Sequence, residues 1–251
     1  MAHYLELEAD RLRQDPLILL IPGIDDSNPH HWQAVWQRQC SDCRSVDLGA
    51  SDNPFRNNWV NRINLAIHQA GRPVVLVAHG LGCLAVAWWA EYEQPLHGNP
   101  VVGALLVAPP DVDRPGTDPR LARFASCPRG PLPFPSFLAA SQDDPFCNLR
   151  TAQLLAQDWG SRFAFAGAVG HIDGESGLGD WLFGKTLLAQ LLREHRLEQR
   201  TERASEELRL PVLPDASYAQ ARMQRWAVHH RDHAILANDV AGLAIASAGH
   251  T

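Results

Sequence analysis

The chain is punctuated by short runs that are apolar almost throughout, each followed by a stretch with helical spacing. "PLILLIPG" (Pro16–Gly23), "VVLVA" (Val74–Ala78), "VVGALLVA" (Val101–Ala108) and "FPSFLAAS" (Phe134–Ser141) are of this kind. Runs of this length without polar alternation read as strands buried on both faces. Between them lie "HHWQAVWQRQ", with Trp32 and Trp36 on one helical face, and a segment opened by Asn53-Pro54 whose Trp59, Ile63 and Ile67 form an apolar stripe. Gly71 and Pro73 close that segment. Residues 81–92 form the helix after "VVLVA", residues 148–159 a helix stopped by Gly160, and residues 180–195 a last helix. "RSVDL" and "RFAFAG" supply two further strands, and "PPDVDRPGTDPR" is a loop by composition. Strands alternating with helices predict an α/β fold: a mostly parallel twisted sheet with helices on both faces.

A sheet of that kind binds its ligand outside the carboxyl ends of its strands. The predicted site therefore gathers Gly23–Asp26, His79–Gly82, Pro109–Asp111, Gln142–Pro145 and Gly170–Asp173. Acyl transfer at such an edge needs a nucleophile on a strained turn, a histidine to take its proton, and a carboxylate to orient the histidine. In chain order these segments offer position 80, then Asp143 and Asp144, then His171. The order suits a nucleophile carried on a strand-to-helix turn. The tip of that turn, however, is Gly80.

Plainer readings stand beside these. His171 is readable as an ordinary loop histidine, and Asp144 as the start of an Asp-Pro turn. His79 reads as a residue packed beside the turn. Cys83, one helical turn past Gly80, reads as a small buried apolar residue before it reads as a substitute nucleophile. Gly23 and Gly82 fit places where backbone must approach closely. Cys40 and Cys43 form an isolated C-x-x-C without a second pair of ligands for zinc. His229 and His233 are four apart in "VHHRDH", but lack the surrounding pattern of a helical metal site, and a solvated helix face is expected.

A net charge of -6 with no dense block of Lys or Arg argues against nucleic acid as a partner. No apolar run is long enough to span a membrane. "MAHYLELEADRLRQDP" lacks the apolar core of a secretory leader, so a cytoplasmic address is expected. Five cysteines, an odd number, do not suggest a disulfide framework. Composition changes near residue 195, where a charge-rich stretch, the linker "LPVLPDAS" and a helix-periodic tail follow. We expect a domain over residues 1–195 and a C-terminal helical extension over 196–251, packed on the domain or joining copies of the chain into a homo-oligomer.

Together, "LLIPGIDDSNPHHWQ", "VVLVAHGLGCLAV", "SQDDPF" and "VGHIDGESGLGDW" resemble the small serine hydrolases of the YdeN and retinoblastoma-binding-protein-nine family. The resemblance covers roughly residues 16–195, and its last motif is specific, with Gly170, His171, Ile172, Ser176, Gly177, Gly179 and Trp181 all in place. It implies an α/β-hydrolase fold with a minimal cap, and esterase-like hydrolysis of a small ester or amide without cofactor or metal. Carried over, His171 corresponds to the general base and Asp144 to its acid partner. The backbone N–H groups of Ile24 and Leu81 correspond to the oxyanion hole. Two positions depart from the family: Asp173 stands in place of Asn, and Gly80 in place of the nucleophilic Ser. Glycine adopts the angles of such a turn without a Cβ clash, but offers no oxygen to attack a carbonyl. A preserved cleft with weak or absent turnover is therefore expected. The alternatives are a non-catalytic ligand- or protein-binding role, and an interaction protein working through its C-terminal extension.

Overall fold

The computed structural model describes residues 14–24, 28–50, 53–96, 100–116 and 118–208. The chain divides into two units at Gln199/Arg200, and among the described residues the first unit carries every strand and all helices but the last turns of the final one. The elements are β1 (Leu17–Ile21), α1 (Trp32–Gln39), β2 (Cys43–Ser45), α2 (Arg56–Ala70), β3 (Val74–His79), α3 (Leu81–Glu93), β4 (Val101–Val107), α4 (Pro119–Ala122), β5 (Ser136–Ala140), α5 (Leu149–Asp158), β6 (Arg162–Phe165) and α6 (Leu182–Leu208).

The four apolar runs become β1, β3, β4 and β5, β6 lies within "RFAFAG", and β2 takes only Arg44 and Ser45 of "RSVDL", starting at Cys43. Every pairing is parallel, in the order β2-β1-β3-β4-β5-β6. Side chains alternate between two cores, as the period of a strand requires. On β1, Leu17, Leu19 and Ile21 face one core while Ile18 and Leu20 face the other; on β3 the split is Val74, Leu76 and Ala78 against Val75 and Val77. The first core is closed by Trp59 and Ile63 of α2, the buried length of α3, and Leu155 of α5. The second is closed by Trp32 and Trp36 of α1 and by Leu187, Leu188 and Leu191 of α6. Each large apolar side chain so buried contributes about 1.5–3 kcal/mol, which is why the central strands tolerate no polar face.

Capping explains several boundaries. The Asn148 side chain accepts the Thr151 N–H at 2.9 Å and starts α5, and Gly71 ends α2 in the left-handed region at φ 67°. Two further elements differ from expectation. The stretch after β4 is not loop throughout: Asp118 caps the short α4, with Pro119 at its first position. The last helix does not stop at residue 195 but runs to Leu208, because "RLEQRTERASEEL" is rich in helix formers and holds no Gly or Pro. Most of the expected extension, with His229, His230 and His233, lies outside the described residues. Among the described residues no helix is long and apolar enough to cross a membrane.

The chain leaves β1 toward β2 on one side, then crosses back to β3 on the other side. A parallel sheet opens a crevice where its connections diverge in this way. Here it lies at the ends of β1 and β3, where Ile21 and Ala78 are register partners. The Gln33 side chain stitches these ends together, donating to the Ile21 carbonyl at 3.2 Å and the Val77 carbonyl at 2.9 Å.

Candidate active site

Immediately after β3 the chain turns on a single residue. The Gly80 N–H still bonds the Val107 carbonyl at 2.9 Å, as a strand residue would, and α3 begins at Leu81. The turn needs φ 51° and ψ -125° at Gly80, a region that costs a residue with a Cβ about 1–3 kcal/mol. One residue into the helix, a Cβ on Gly82 would stand 2.6 Å from the Pro22 carbonyl oxygen and 2.8 Å from that of Ile21. Only glycine lets α3 start so close to the end of β1. That approach brings Leu81 and Ile24 into the wall of one cleft.

The cleft holds about 750 Å³ and receives residues from all five predicted strand-end segments: Ile24, Leu81, Pro110, Asp143 with Pro145, and Gly170, His171 and Asp173. Of the first segment, Asp25 and Asp26 lie outside the described residues. Arg120 and Leu121 of α4 complete one wall, a contribution that the loop-like composition concealed.

His171 is aimed at the tip of the turn. A Cβ built on Gly80 would meet its Nε2 at 3.3 Å. On the other side of the ring, Nδ1 lies 3.0 Å and 3.1 Å from the two carboxylate oxygens of Asp144. The Asp144 side chain is 2% exposed and also accepts the Phe146 N–H at 2.9 Å. With Nδ1–H donating to the carboxylate, the lone pair of the neutral ring sits on Nε2, facing Gly80. That is the tautomer a general base needs.

The adjacent Asp143 points elsewhere. Its Oδ1 accepts the Ser141 hydroxyl at 2.7 Å and the Gly170 N–H at 2.8 Å. These two bonds hold its carboxyl below the usual range. The fully buried Ser141 in turn accepts the Val169 N–H at 2.9 Å, so both residues pin the approach to His171. Asp173 folds its own loop: Oδ1 accepts the backbone N–H groups of Glu175 and Ser176 and the Ser176 hydroxyl. Partial burial opposes its ionisation, but the bonds from Ser176 and Glu175 and the nearby His171 outweigh it, and its carboxyl is held below the usual range.

His79 is buried beneath this arrangement, its ring edge-on to His171 at 4.9 Å between centroids. Its Nε2 donates to the His171 carbonyl at 3.0 Å, so it holds the backbone of that residue. His31 packs edge-on against His79 at 4.7 Å and caps α1 by accepting the Gln33 N–H. Cys83 is fully buried, with its thiol 3.4 Å from the Ala78 carbonyl and 3.3 Å from that of Val107, directed into the sheet and not into the cleft. Cys40 and Cys43 sit where α1 passes into β2, outside the cleft lining, and burial pushes the Cys43 thiol up, away from thiolate chemistry.

Sequence reasoning missed what holds the loop around His171. Ile172 has φ 54°, unusual for a β-branched residue, and is fully buried. Trp32 donates its indole N–H to the Ile172 carbonyl at 2.7 Å, and Trp36 donates to the Asp180 carbonyl at 2.9 Å. The paired tryptophans were legible as an apolar face. Their two donors were not, because the acceptors lie some 140 residues away.

Comparison with known proteins bears on the fold and the family. A YdeN-like hydrolase from Pectobacterium atrosepticum superimposes with a TM-score of 0.63 at 29% identity, over 76% of this chain and 98% of that one. The ydeN gene product of B. subtilis gives 0.58 at 20% identity, over 71% and 99%. The esterase domain of a Rhodothermus marinus protein shares the fold, at a TM-score of 0.51 and 16% identity over 72% and 89%. These neighbours identify the architecture as the α/β-hydrolase fold. No curated protein is a match. Residues 18–190 match the serine hydrolase family, and with that span covering most of its length the chain belongs to this family.

Proposed function

We propose that the cleft is an esterase-like site for a small ester or amide, in which Gly80 occupies the place of the nucleophile and turnover is correspondingly impaired. The observation that carries this proposal is the aim of His171: its Nε2 faces Gly80, with Asp144 behind it. In this assignment His171 is the base and Asp144 orients it. The N–H groups of Ile24 and Leu81 receive the negative charge that develops on the carbonyl oxygen.

A serine at position 80 would attack the carbonyl carbon while its proton passed to Nε2, and the leaving group would carry that proton away. Glycine allows no acyl-enzyme. What remains is direct hydrolysis: water attacks the carbonyl carbon, His171 takes its proton and returns it to the departing oxygen or nitrogen, and an acid with an alcohol or amine results. Sites stripped of a nucleophile in this way retain roughly 10³–10⁴ of rate over water, after losses near 10⁶.

The test pairs the chain with its Gly80→Ser variant. The serine variant is expected to react covalently with a fluorophosphonate and to hydrolyse short-chain aryl esters, while the glycine chain is not labelled. A serine variant that neither labels nor hydrolyses overturns the assignment. The open volume of about 750 Å³ also favours a second reading, retention of the cleft for binding alone. A small ester, amide or carboxylic acid that co-purifies with the glycine chain and is displaced by bulky residues at the cleft wall would support it.

A further inference from the structure

We infer that Trp32 is a positioning residue for His171, acting through the turn at Ile172, with Trp36 securing the far end of the same loop. The inference rests on the assignment of His171 as the base. Residues 166–181 contain no helix or strand, so the direction of the His171 ring depends on what holds that backbone. At Ile172 the loop adopts a left-handed conformation that an isoleucine resists. Two buried side chains grip consecutive carbonyls there: His79 bonds that of His171 at 3.0 Å, and Trp32 bonds that of Ile172 at 2.7 Å.

The loop is closed at its other end by Trp36 on the Asp180 carbonyl, and by the Trp181 ring, 4.9 Å from that of Trp32 and stacked at 6.3 Å on that of Trp36. Between the two tryptophans' donors lies Gln33, which ties α1 to the ends of β1 and β3. Those two strands lead into Ile24 and Gly80. One helical turn thus references the histidine loop to the same strand ends that carry the rest of the site. Removing the Trp32 donor strands a buried carbonyl, releases the left-handed turn and lets the imidazole swing off the line from Asp144 to position 80.

Trp32→Phe keeps an aromatic ring in the core and removes the N–H. Trp159→Phe is the control: Trp159 is equally buried and donates to the Pro128 carbonyl at 2.8 Å, but it packs in the first core, whereas Trp32 and Ile172 pack in the second, and it lies outside the cleft lining. The ring resonances of His171, including the Nδ1–H proton shared with Asp144, are followed by NMR in the glycine chain, and kcat and KM are measured with Gly80→Ser as background. Trp32→Phe is expected to shift or broaden the His171 resonances and to lower kcat by about 10- to 100-fold with KM unchanged, whereas Trp159→Phe lowers only the melting temperature. If Trp32→Phe leaves the resonances where Trp159→Phe leaves them, the proposal is overturned. Should the serine background show no hydrolysis, the hydrolase assignment falls, while the resonances of the glycine chain still decide the positioning. Should Trp32→Phe not fold, Trp36→Phe is expected to move the same resonances, and its failure to do so overturns the proposal equally.

Discussion

Gly80 separates two things that a serine would combine, strain and chemistry. At φ 51° and ψ -125° any Cβ is costly, and a Cβ here also meets the His171 ring at 3.3 Å. Gly80→Ala is therefore expected to lose about 1–3 kcal/mol, read as a fall in melting temperature of about 2–4 °C per kcal/mol, with no gain in ester hydrolysis. Gly80→Ser is expected to lose less, because its hydroxyl bonds Nε2, and to gain activity. An alanine variant as stable as the glycine chain would show the turn to be unstrained. Asp173 offers a test by pH. Its carboxyl is held below the ordinary value of 3.8, so its contribution is complete above that pH and is lost as acid takes the pH down through the folded value. Asp173→Asn keeps an oxygen for the same donors without the titration. The melting temperature of the wild-type chain should then fall more steeply than that of Asp173→Asn below about pH 4, and in parallel with it above. Parallel curves throughout would remove Asp173 from the acid response.

At the scale of elements, the site depends on how closely α3 is allowed to approach β1. The Gly82 backbone packs on the Pro22 and Ile21 carbonyls, and neither of these backbone oxygens is the flexible end of a side chain. Gly82→Ala is expected to cost about 3 kcal/mol through overpacking, seen as a lower urea midpoint with an unchanged slope. A loss within experimental error would mean that α3 can slide outward at no cost, and that its fit to β1 does not define the turn. The other element that shapes the cleft, α4, is anchored in the first core by the buried Leu121 and capped by its own Asp118. Asp118 caps it through the Arg120 N–H at 2.8 Å and also pairs with the Arg120 guanidinium at 2.9 Å. A four-residue helix with a single core anchor leaves no periodic pattern in a stretch rich in Pro, Gly and Asp, although it builds one wall of the cleft.

At the scale of the molecule, every buried apolar residue of the two cores among the described residues falls between Leu17 and Leu191. The ion pair of Arg162 with Glu194, with both guanidinium N–H contacts at 2.7 and 2.8 Å, fastens α6 to the edge strand β6. A chain ending at residue 208 is accordingly expected to unfold in one cooperative transition and to keep the Gly80→Ser activity. One ending at residue 180 is expected not to fold, since it lacks Leu187, Leu188 and Leu191. Loss of cooperative melting in the 208-residue chain would assign the fold a dependence on the remaining segment.

The strands, most helices and their parallel arrangement were legible in the sequence, because a buried parallel strand must be apolar on both faces and each covering helix must carry a stripe. Where each apolar run stops, its strand ends, and so Gly80, Asp144 and His171 were legible as neighbours of one sheet edge. The sequence by itself determined which chemical groups this protein brings to that edge, including the lack of a hydroxyl at the turn. Only the tertiary structure decided what the second aspartate, Asp143, does, bonding Ser141 and the Gly170 N–H, and that Trp32, Trp36 and His79 hold the His171 loop from below. It also added α4 to the cleft. Local periodicity records burial, which each segment expresses alone. A hydrogen bond to a carbonyl 140 residues away has no trace in either segment until packing brings the two together.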